Sequence, residues 1–145
     1  GIDGKSKMSK SLNNCIYLID NQEEVNKKVM KMFTDPNRTS PDIPGKVEGN
    51  PVFIYHDIFN QNKSEVDEFK DRYKKGKIGD VEIKKSLAKS LNLFLEPIRE
   101  RRSQLKKNRS EIFDIIIDGS TRARKLAKEN IDRIKDSMKI NFKEI

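Results

Sequence analysis

The prolines of this 145-residue chain are concentrated in one short stretch. Four of the five lie between positions 36 and 51, and the fifth is Pro97. Because proline breaks helices and central strands, residues 34–50 are predicted to form an irregular loop. On both sides of it, apolar residues recur three and four positions apart, which is the period of an amphipathic helix. This pattern predicts a mainly α protein.

Three short helices are predicted around the loop from capping signals. The first follows a capping box formed by Asp20 and Glu23. Asn50 and Pro51 predict the start of the second helix, because asparagine caps free backbone amides and proline fits the first turn. Ser64 is predicted to cap the third. Ahead of these helices, residues 15–19 are apolar and predict a short extended segment.

Longer helical stretches are predicted toward the C-terminus. One begins at Asp80 and keeps a single apolar phase across Pro97, which predicts a kinked but continuous helix, the longest of the chain. Ser110 is then predicted to open a short helix that Gly119 closes in a left-handed conformation. Ser120 is predicted to cap the last helix. The expected architecture is an antiparallel helical bundle.

Composition narrows the class of protein. The net charge of +8 and the pI of about 9.5 favour a polyanionic partner such as nucleic acid. The single cysteine, Cys15, excludes an internal disulfide and an all-cysteine metal cluster, and it is typical of a reducing compartment. The longest apolar run, residues 115–117, is too short to span a membrane, and no signal-like segment is present. We expect a cytoplasmic protein.

One short motif indicates a specific chemistry. Residues 7–11 spell KMSKS and follow Gly4, so two lysines lie three positions apart on a short loop. Lysine is a compact charge on a flexible stem and stabilises negative charge on leaving phosphate oxygens, while serine hydroxyls and loop amides can donate further hydrogen bonds. The alternative is a solvated Lys/Ser run in a lysine-rich chain. The motif favours a loop that contacts a nucleoside triphosphate.

The downstream pattern extends this motif into a family resemblance. Thr34-Asp35-Pro36 follows the first helix, the Pro/Gly loop reaches residues 50–53 and His56, and later stretches at residues 76–80 and 95–98 agree. Together with KMSKS, which many class I enzymes share, these segments resemble the bacterial tryptophanyl-tRNA synthetases over essentially the whole chain. A tyrosyl enzyme would be expected to carry a further small RNA-binding domain after its helices.

The resemblance implies the C-terminal part of a class I aminoacyl-tRNA synthetase of protein biosynthesis. Residues 1–20 would be the KMSKS loop and the end of a Rossmann-like catalytic domain, and residues 21–145 the helical anticodon-binding domain. Such a ligase activates tryptophan with ATP to tryptophanyl-adenylate and transfers it to tRNA(Trp). The HIGH-type signature and the tryptophan pocket would lie upstream of Gly1, so this part alone is not expected to be active. Family members are homodimers through the catalytic domain.

The same resemblance assigns roles to residues that match the family motif. Lys7 and Lys10 would be the catalytic contacts to the phosphates, and the ATP-binding set would be Lys7, Met8, Ser9, Lys10 and Ser11. Magnesium would share the charge neutralisation, although no carboxylate here is assigned to it. The basic helices are expected to contact the tRNA backbone or to be solvated faces. The residues chosen for tRNA contact are Arg102, Arg109, Arg122, Arg124 and Lys125.

Some bacterial members carry an iron–sulfur cluster on four cysteines in the helical region. The corresponding positions of this chain read Asn50, Tyr73, Asp80 and Ile83. No cluster is expected on them, and helix packing, Tyr73 and the Asp80 cap are expected to hold that region. The only histidine, His56, lacks partners for a metal site and is expected to be a packing or surface residue. Cys15 is expected to be a structural thiol beside the loop.

Two alternative functions stay open at this point. A tyrosyl or other class I aminoacyl-tRNA synthetase would share the KMSKS loop, and the amino-acid pocket upstream would distinguish it. A non-catalytic basic helical RNA-binding module would use only the basic helices, with the motif as a relic.

Overall fold

Five α-helices make up the regular structure of residues 1–140, the part of the chain that the computed structural model describes. They are α1 (Gln22–Met30), α2 (Pro51–Phe59), α3 (Lys63–Lys74), α4 (Asp80–Lys107) and α5 (Arg109–Ser137). No strand occurs among these 140 residues, and the predicted mainly α class is confirmed. The apolar residues 15–19, predicted to be extended, lead instead into a turn in which the Asp20 amide donates to the Tyr17 carbonyl.

The chain divides into two compact units, Gly1–Glu100 and Arg101–Ile145. The first unit has a single hydrophobic core to which α1, α2, α3 and α4 all contribute. Ile2, just ahead of the KMSKS loop, belongs to this core, so the base of the loop is fixed by burial. The largest fully buried side chains are Tyr73, Phe53, Met32, Ile83, Leu87 and His56.

Asparagine side chains cap four of the helices. Asn50 accepts from the Val52 amide with Pro51 in the first turn, which confirms the predicted start of α2. The capping box of α1 is Asn21 and Glu24, one residue later than predicted. Asp20 is not the cap because its carboxylate accepts hydrogen bonds from the Tyr17 amide and the Lys28 ammonium.

The predicted cap of α3 is also wrong. Asn62 accepts from the Glu65 amide, so the helix begins at Lys63 and Ser64 lies inside it. The end of α1 differs too: the prediction extended it to residue 33, whereas the helix ends at Met30. There the buried Lys84 ammonium donates to the carbonyls of Met30 and Met32, which satisfies acceptors that have no partner within the helix at its end.

The two long helices give one confirmation and one correction. α4 runs through Pro97 without a break, as predicted. The expected pair of helices separated by Gly119 is wrong, because α5 is continuous for 29 residues and is one residue longer than α4. Gly119 is not in the left-handed region, and Thr121 donates back to the Ile117 carbonyl within the helix. A glycine in a helix costs only about 1 kcal/mol, and the strong helix formers of residues 122–127 follow it closely. None of the five helices combines the length and apolarity that crossing a membrane requires.

Candidate nucleotide-binding loop

The KMSKS motif lies in a loop whose two ends are tied together. This loop comprises residues 3–14. The Ile2 amide donates to the Asn14 carbonyl at 2.9 Å, and the Ile2 carbonyl accepts from the Phe33 amide at 2.9 Å. Gly4 has a φ of +68°, and a Cβ there would lie 3.3 Å from Phe33 and Pro51. The loop therefore leaves the core at a closed base, where α1 ends and α2 begins.

The two motif lysines are exposed to solvent. Lys7 and Lys10 are both exposed, and within residues 1–140 no hydrogen bond or ion pair engages either ammonium group. The Ser9 and Ser11 hydroxyls lie 2.8 Å apart and share a hydrogen bond. Both ammonium groups can therefore approach an anion without first breaking an internal ion pair.

A buried asparagine supports the loop from inside. Asn14 is 5% exposed; its Oδ1 accepts from the Ser9 amide at 2.7 Å, and its Nδ2 donates to the Lys7 carbonyl at 3.1 Å. Nδ2 also donates to Asp3 at 3.2 Å. Sequence reasoning missed both residues, although asparagine and aspartate are the side chains that most often bond nearby backbone in loops.

The carboxylate of Asp3 organises the first half of the loop. Its Oδ1 accepts from the Lys5 and Ser6 amides at 3.2 Å each. The hydrogen bond from Asn14, followed by those from the two amides, lowers the pKa of Asp3 to about 2. Asp3 is therefore ionised at neutral pH and acts as an acceptor on both oxygens.

Two further side chains contact the loop. The buried Cys15 thiol donates to the Ser9 carbonyl at 3.7 Å, which confirms the prediction of a structural thiol beside the loop. Tyr55 of α2 donates its hydroxyl to the Met8 sulfur at 3.7 Å. The loop thus rests on the second helix as well as on its own residues.

The four positions that the sequence analysis compared with cluster cysteines have structural roles here. Asn50 caps α2, and the Ile83 carbonyl accepts from His56 Nε2 at 3.0 Å. The Tyr73 hydroxyl donates to Asp80 at 3.2 Å, so the two residues that were expected to hold this region also contact each other. Burial, followed by the charge of Asp80, raises the pKa of Tyr73 to about 12.

An arginine that the sequence analysis did not single out completes this region. The Arg38 side chain is 1% exposed and forms an ion pair with Asp80. Its guanidinium also donates to backbone carbonyls and lies 4.1 Å from the centre of the Tyr73 ring. The carbonyls are those of Pro41, Ile43 and Ile78. Within the described part of the chain, no group of three or more His, Cys, Asp and Glu residues is arranged to hold a metal ion.

His56 is a packed core residue, as predicted. It is fully buried, and its ring meets that of Phe69 edge to face with centroids 5.7 Å apart. Burial lowers its pKa, so the imidazole is neutral at pH 7. Its ring nitrogens are engaged by the Ile83 carbonyl and by the Asn60 amide, which leaves no free nitrogen for a ligand.

The five basic residues chosen for tRNA contact all lie in the second compact unit. Arg102 is on α4 and the other four are on α5, and all five are exposed. Arg122 forms an ion pair with Asp118 at 3.0 Å, and no ion pair engages the other four within residues 1–140. Exposure suits both phosphate contact and simple solvation, so their role stays a prediction.

Comparison with known proteins places this loop and these helices in a family. Residues 1–96 match the family profile described as tRNA synthetases class I (W and Y). The chain is 52% identical over 138 residues to the tryptophan–tRNA ligase of Treponema pallidum, covering 95% of this chain and 41% of that protein. It is 54% identical over 137 residues to the tryptophan–tRNA ligase of Borreliella burgdorferi, covering 94% and 39%.

Solved structures agree with the sequence matches. The tryptophanyl-tRNA synthetase of Campylobacter jejuni, crystallised with ADP and tryptophan, superposes with a TM-score of 0.76 at 30% identity over 95% of this chain and 42% of that one. The chain therefore spans about two-fifths of the length of the relatives it matches. The resemblance inferred from the sequence is confirmed: the chain belongs to the class I tRNA synthetases of the tryptophan and tyrosine group.

Proposed function

We propose that the chain is the C-terminal part of a tryptophan–tRNA ligase. The complete enzyme activates tryptophan with ATP to tryptophanyl-adenylate and then transfers it to tRNA(Trp). The observation that carries this proposal is the KMSKS loop, with two exposed lysines that no ion pair engages within residues 1–140, on a scaffold that matches tryptophan–tRNA ligases over 95% of its length. The tyrosyl alternative shares the family profile but not these matches.

Activation requires stabilisation of charge on the departing pyrophosphate. The tryptophan carboxylate attacks the α-phosphorus of ATP in line, and the bond to the bridging oxygen of pyrophosphate breaks. Lys7 and Lys10 stabilise the negative charge that accumulates on the leaving oxygens. The Ser9 and Ser11 hydroxyls and the Met8 amide donate to the same phosphates. Magnesium, when bound, neutralises further phosphate charge, and no residue of this chain is assigned to it.

We assign the two parts of the chain to the two domains of the family. Residues 1–20 belong to the end of the catalytic domain and residues 21–145 to the anticodon-binding domain. The part of the relatives that this chain does not span supplies the HIGH-type signature, the tryptophan pocket and the contacts of a homodimer. The enzyme works in the cytoplasm. Its partners are ATP, tryptophan and tRNA(Trp), the last bound in part by Arg102, Arg109, Arg122, Arg124 and Lys125.

The direct test is amino-acid-dependent exchange of labelled pyrophosphate into ATP by the full-length protein. We expect exchange with tryptophan and none with tyrosine, because the amino acid is selected before the adenylate forms. Exchange with tyrosine alone would replace the proposal by the tyrosyl alternative. Absence of exchange with any amino acid would favour the non-catalytic RNA-binding module.

The five basic residues chosen for tRNA contact lead to a separate prediction, on how the affinity for tRNA depends on salt concentration. If all five contact phosphates, the affinity of the full-length protein for tRNA(Trp) should fall with a slope of about −4 in log K against log salt concentration. Replacing Arg122, Arg124 and Lys125 together by glutamine should make the slope less steep by about 2.4, because slightly less than one counterion is released per contact. Fluorescence anisotropy with labelled tRNA at several salt concentrations measures both slopes.

A matched control for this experiment lies on α1. Lys27 is also an exposed helix cation with an ion-paired neighbour, as Arg122 is, but it lies on α1 and outside the residues chosen for tRNA contact, so Lys27→Gln should leave the slope unchanged. If the triple variant has the slope of the unmodified protein, these three residues are only a solvated face.

A further inference from the structure

We propose that Asn14, acting together with Asp3, is a positioning residue for the activation reaction. It fixes the backbone between the two motif lysines in the form that meets the phosphates of ATP. This inference rests on the proposed function and adds to it a residue outside the KMSKS motif. Asn14 touches neither substrate in this role; it acts through the backbone that carries Lys7 and Lys10.

The geometry places one side chain across the middle of the motif. Asn14 accepts from the Ser9 amide and donates to the Lys7 carbonyl. These atoms belong to the peptide groups directly after and directly before Met8. Because a carboxamide is planar and rigid, bonding both peptide groups to it fixes their mutual orientation. The attachment points of the two lysine side chains are set on either side of this fixed unit.

Asp3 determines which way the Asn14 carboxamide faces. The Nδ2 group points at two acceptors, the Asp3 carboxylate at 3.2 Å and the Lys7 carbonyl at 3.1 Å, whereas Oδ1 faces the Ser9 N–H. A carboxamide turned by 180° would set its oxygen against both acceptors and its NH₂ against a donor. The ionised Asp3, itself held by the Lys5 and Ser6 amides, therefore selects one orientation.

Burial of the Asn14 side chain stabilises its hydrogen bonds. Asn14 is 5% exposed, so water competes poorly for its side-chain hydrogen bonds, and those to the Ser9 amide and the Lys7 carbonyl are themselves partly buried. The lysine side chains remain free to turn toward a ligand while their backbone does not. Catalysis by positioned charges depends on such preorganisation, and a displacement of about 1 Å can cost on the order of a hundredfold in rate.

The test uses the full-length enzyme and tryptophan-dependent pyrophosphate exchange. Asn14→Ala is expected to lower kcat by about tenfold to a hundredfold and to leave the KM for tryptophan unchanged, because only the phosphate-facing loop is displaced. Asn14→Asp is expected to be equally poor, since it cannot donate and sets a second carboxylate against Asp3. The double variant Asp3→Asn/Asn14→Asp exchanges donor and acceptor between these two side chains and removes their repulsion, although the bond to the Lys7 carbonyl stays lost, and it should recover part of the rate lost in Asn14→Asp.

Leu12→Ala is the matched control. Leu12 lies in the same loop, is 60% exposed and should tolerate truncation with full activity. If Asn14→Ala matches Leu12→Ala in kcat, the inference is overturned. A loss of activity in Asn14→Ala that comes with a lowered melting temperature and a raised KM for tryptophan would also overturn it, because a general folding defect would then explain the loss.

A readout independent of catalysis separates this inference from the proposed function. In limited digestion of the full-length protein with trypsin, cleavage after Lys7 and Lys10 should be several-fold faster in Asn14→Ala than in Leu12→Ala, because the released backbone fits a protease more readily. Equal cleavage rates would refute the positioning role even in an active enzyme. Absence of tryptophan-dependent exchange in the unmodified protein would refute the proposed function and leave the digestion result to decide on the loop.

Discussion

Replacing Arg38 by alanine is expected to destabilise the folded chain by about 3–5 kcal/mol, because it removes one partner of a buried ion pair and leaves the other charge uncompensated. Arg38 is 1% exposed and Asp80 is 20% exposed, so little water can replace the guanidinium. The carbonyls of Pro41 and Ile43 would lose a donor as well. Denaturant unfolding followed by circular dichroism measures the change.

Two variants separate the effect of the buried charge from the loss of an arginine as such. Arg72 pairs with Glu68 and Glu82 at 3.3 and 3.4 Å but is 33% exposed, so Arg72→Ala should cost less than about 1 kcal/mol. Tyr73→Phe removes only the hydroxyl that donates to Asp80 and should cost about 1 kcal/mol. If Arg38→Ala unfolds at the same denaturant concentration as Arg72→Ala, the buried network does not stabilise the fold as proposed.

Features with local causes could be predicted from the sequence. The start of α2 depends only on Asn50 and Pro51, and the structure confirms it. The continuity of α4 depends on an apolar phase that Pro97 does not interrupt, and it is also confirmed. In both cases the deciding interactions lie within a few residues of one another. Such interactions can be recognised without knowledge of the tertiary structure.

Features that depend on distant residues could not be predicted in this way. Arg38 lies in the irregular segment, and its partners Ile78 and Asp80 are 40 and 42 positions away in the sequence. Gly45 is a similar case, because a Cβ there would lie 2.2 Å from the Tyr73 ring and this close approach exists only in the folded chain. The proline and glycine content predicted a loop but not the contacts that order it.

The errors at the starts of α1 and α3 arose where two capping residues compete. Asp20 and Asn21 are both good caps, and the choice between them depends on Lys28, which pairs with Asp20 at 2.6 Å. Asn62 and Ser64 compete in the same way, and the asparagine bonds the Glu65 amide. The helix end predicted at Gly119 was wrong for a different reason. Glycine ends a helix where its backbone adopts the left-handed conformation, and Gly119 does not adopt it.

The residues of the candidate site also fall into those that the sequence predicts and those that only the structure identifies. The lysines of residues 7–11 could be recognised because the motif is contiguous and its chemistry is evident from the residue types. Asn14 and Asp3 could not, since 11 positions separate them and their side chains meet only when the loop closes. The motif therefore predicts which groups touch the phosphates, whereas the structure is needed to identify the residues that hold them in place.

Replacing Lys10 by alanine in the full-length enzyme is expected to slow tryptophan-dependent pyrophosphate exchange about 150-fold. This corresponds to an increase of about 3 kcal/mol in the activation free energy, as for the loss of a group that stabilises developing charge. The ammonium group is exposed and unpaired within residues 1–140, so the substitution removes no hydrogen bond or ion pair of this part of the chain. The melting temperature should therefore stay unchanged while kcat falls. Steady-state exchange at saturating ATP and tryptophan measures the rate.

Lys5 provides the control because it is a second exposed lysine of the same loop, five positions before Lys10 and outside the motif. Lys5→Ala removes the same charge from the loop and should leave the exchange rate within about twofold, since general attraction of ATP by one surface charge is weak and screened by salt. A specific role for Lys10 requires the two variants to differ. If both slow exchange equally, the loop acts through its net charge and not through a positioned contact. If neither does, the motif has no part in the chemistry of activation.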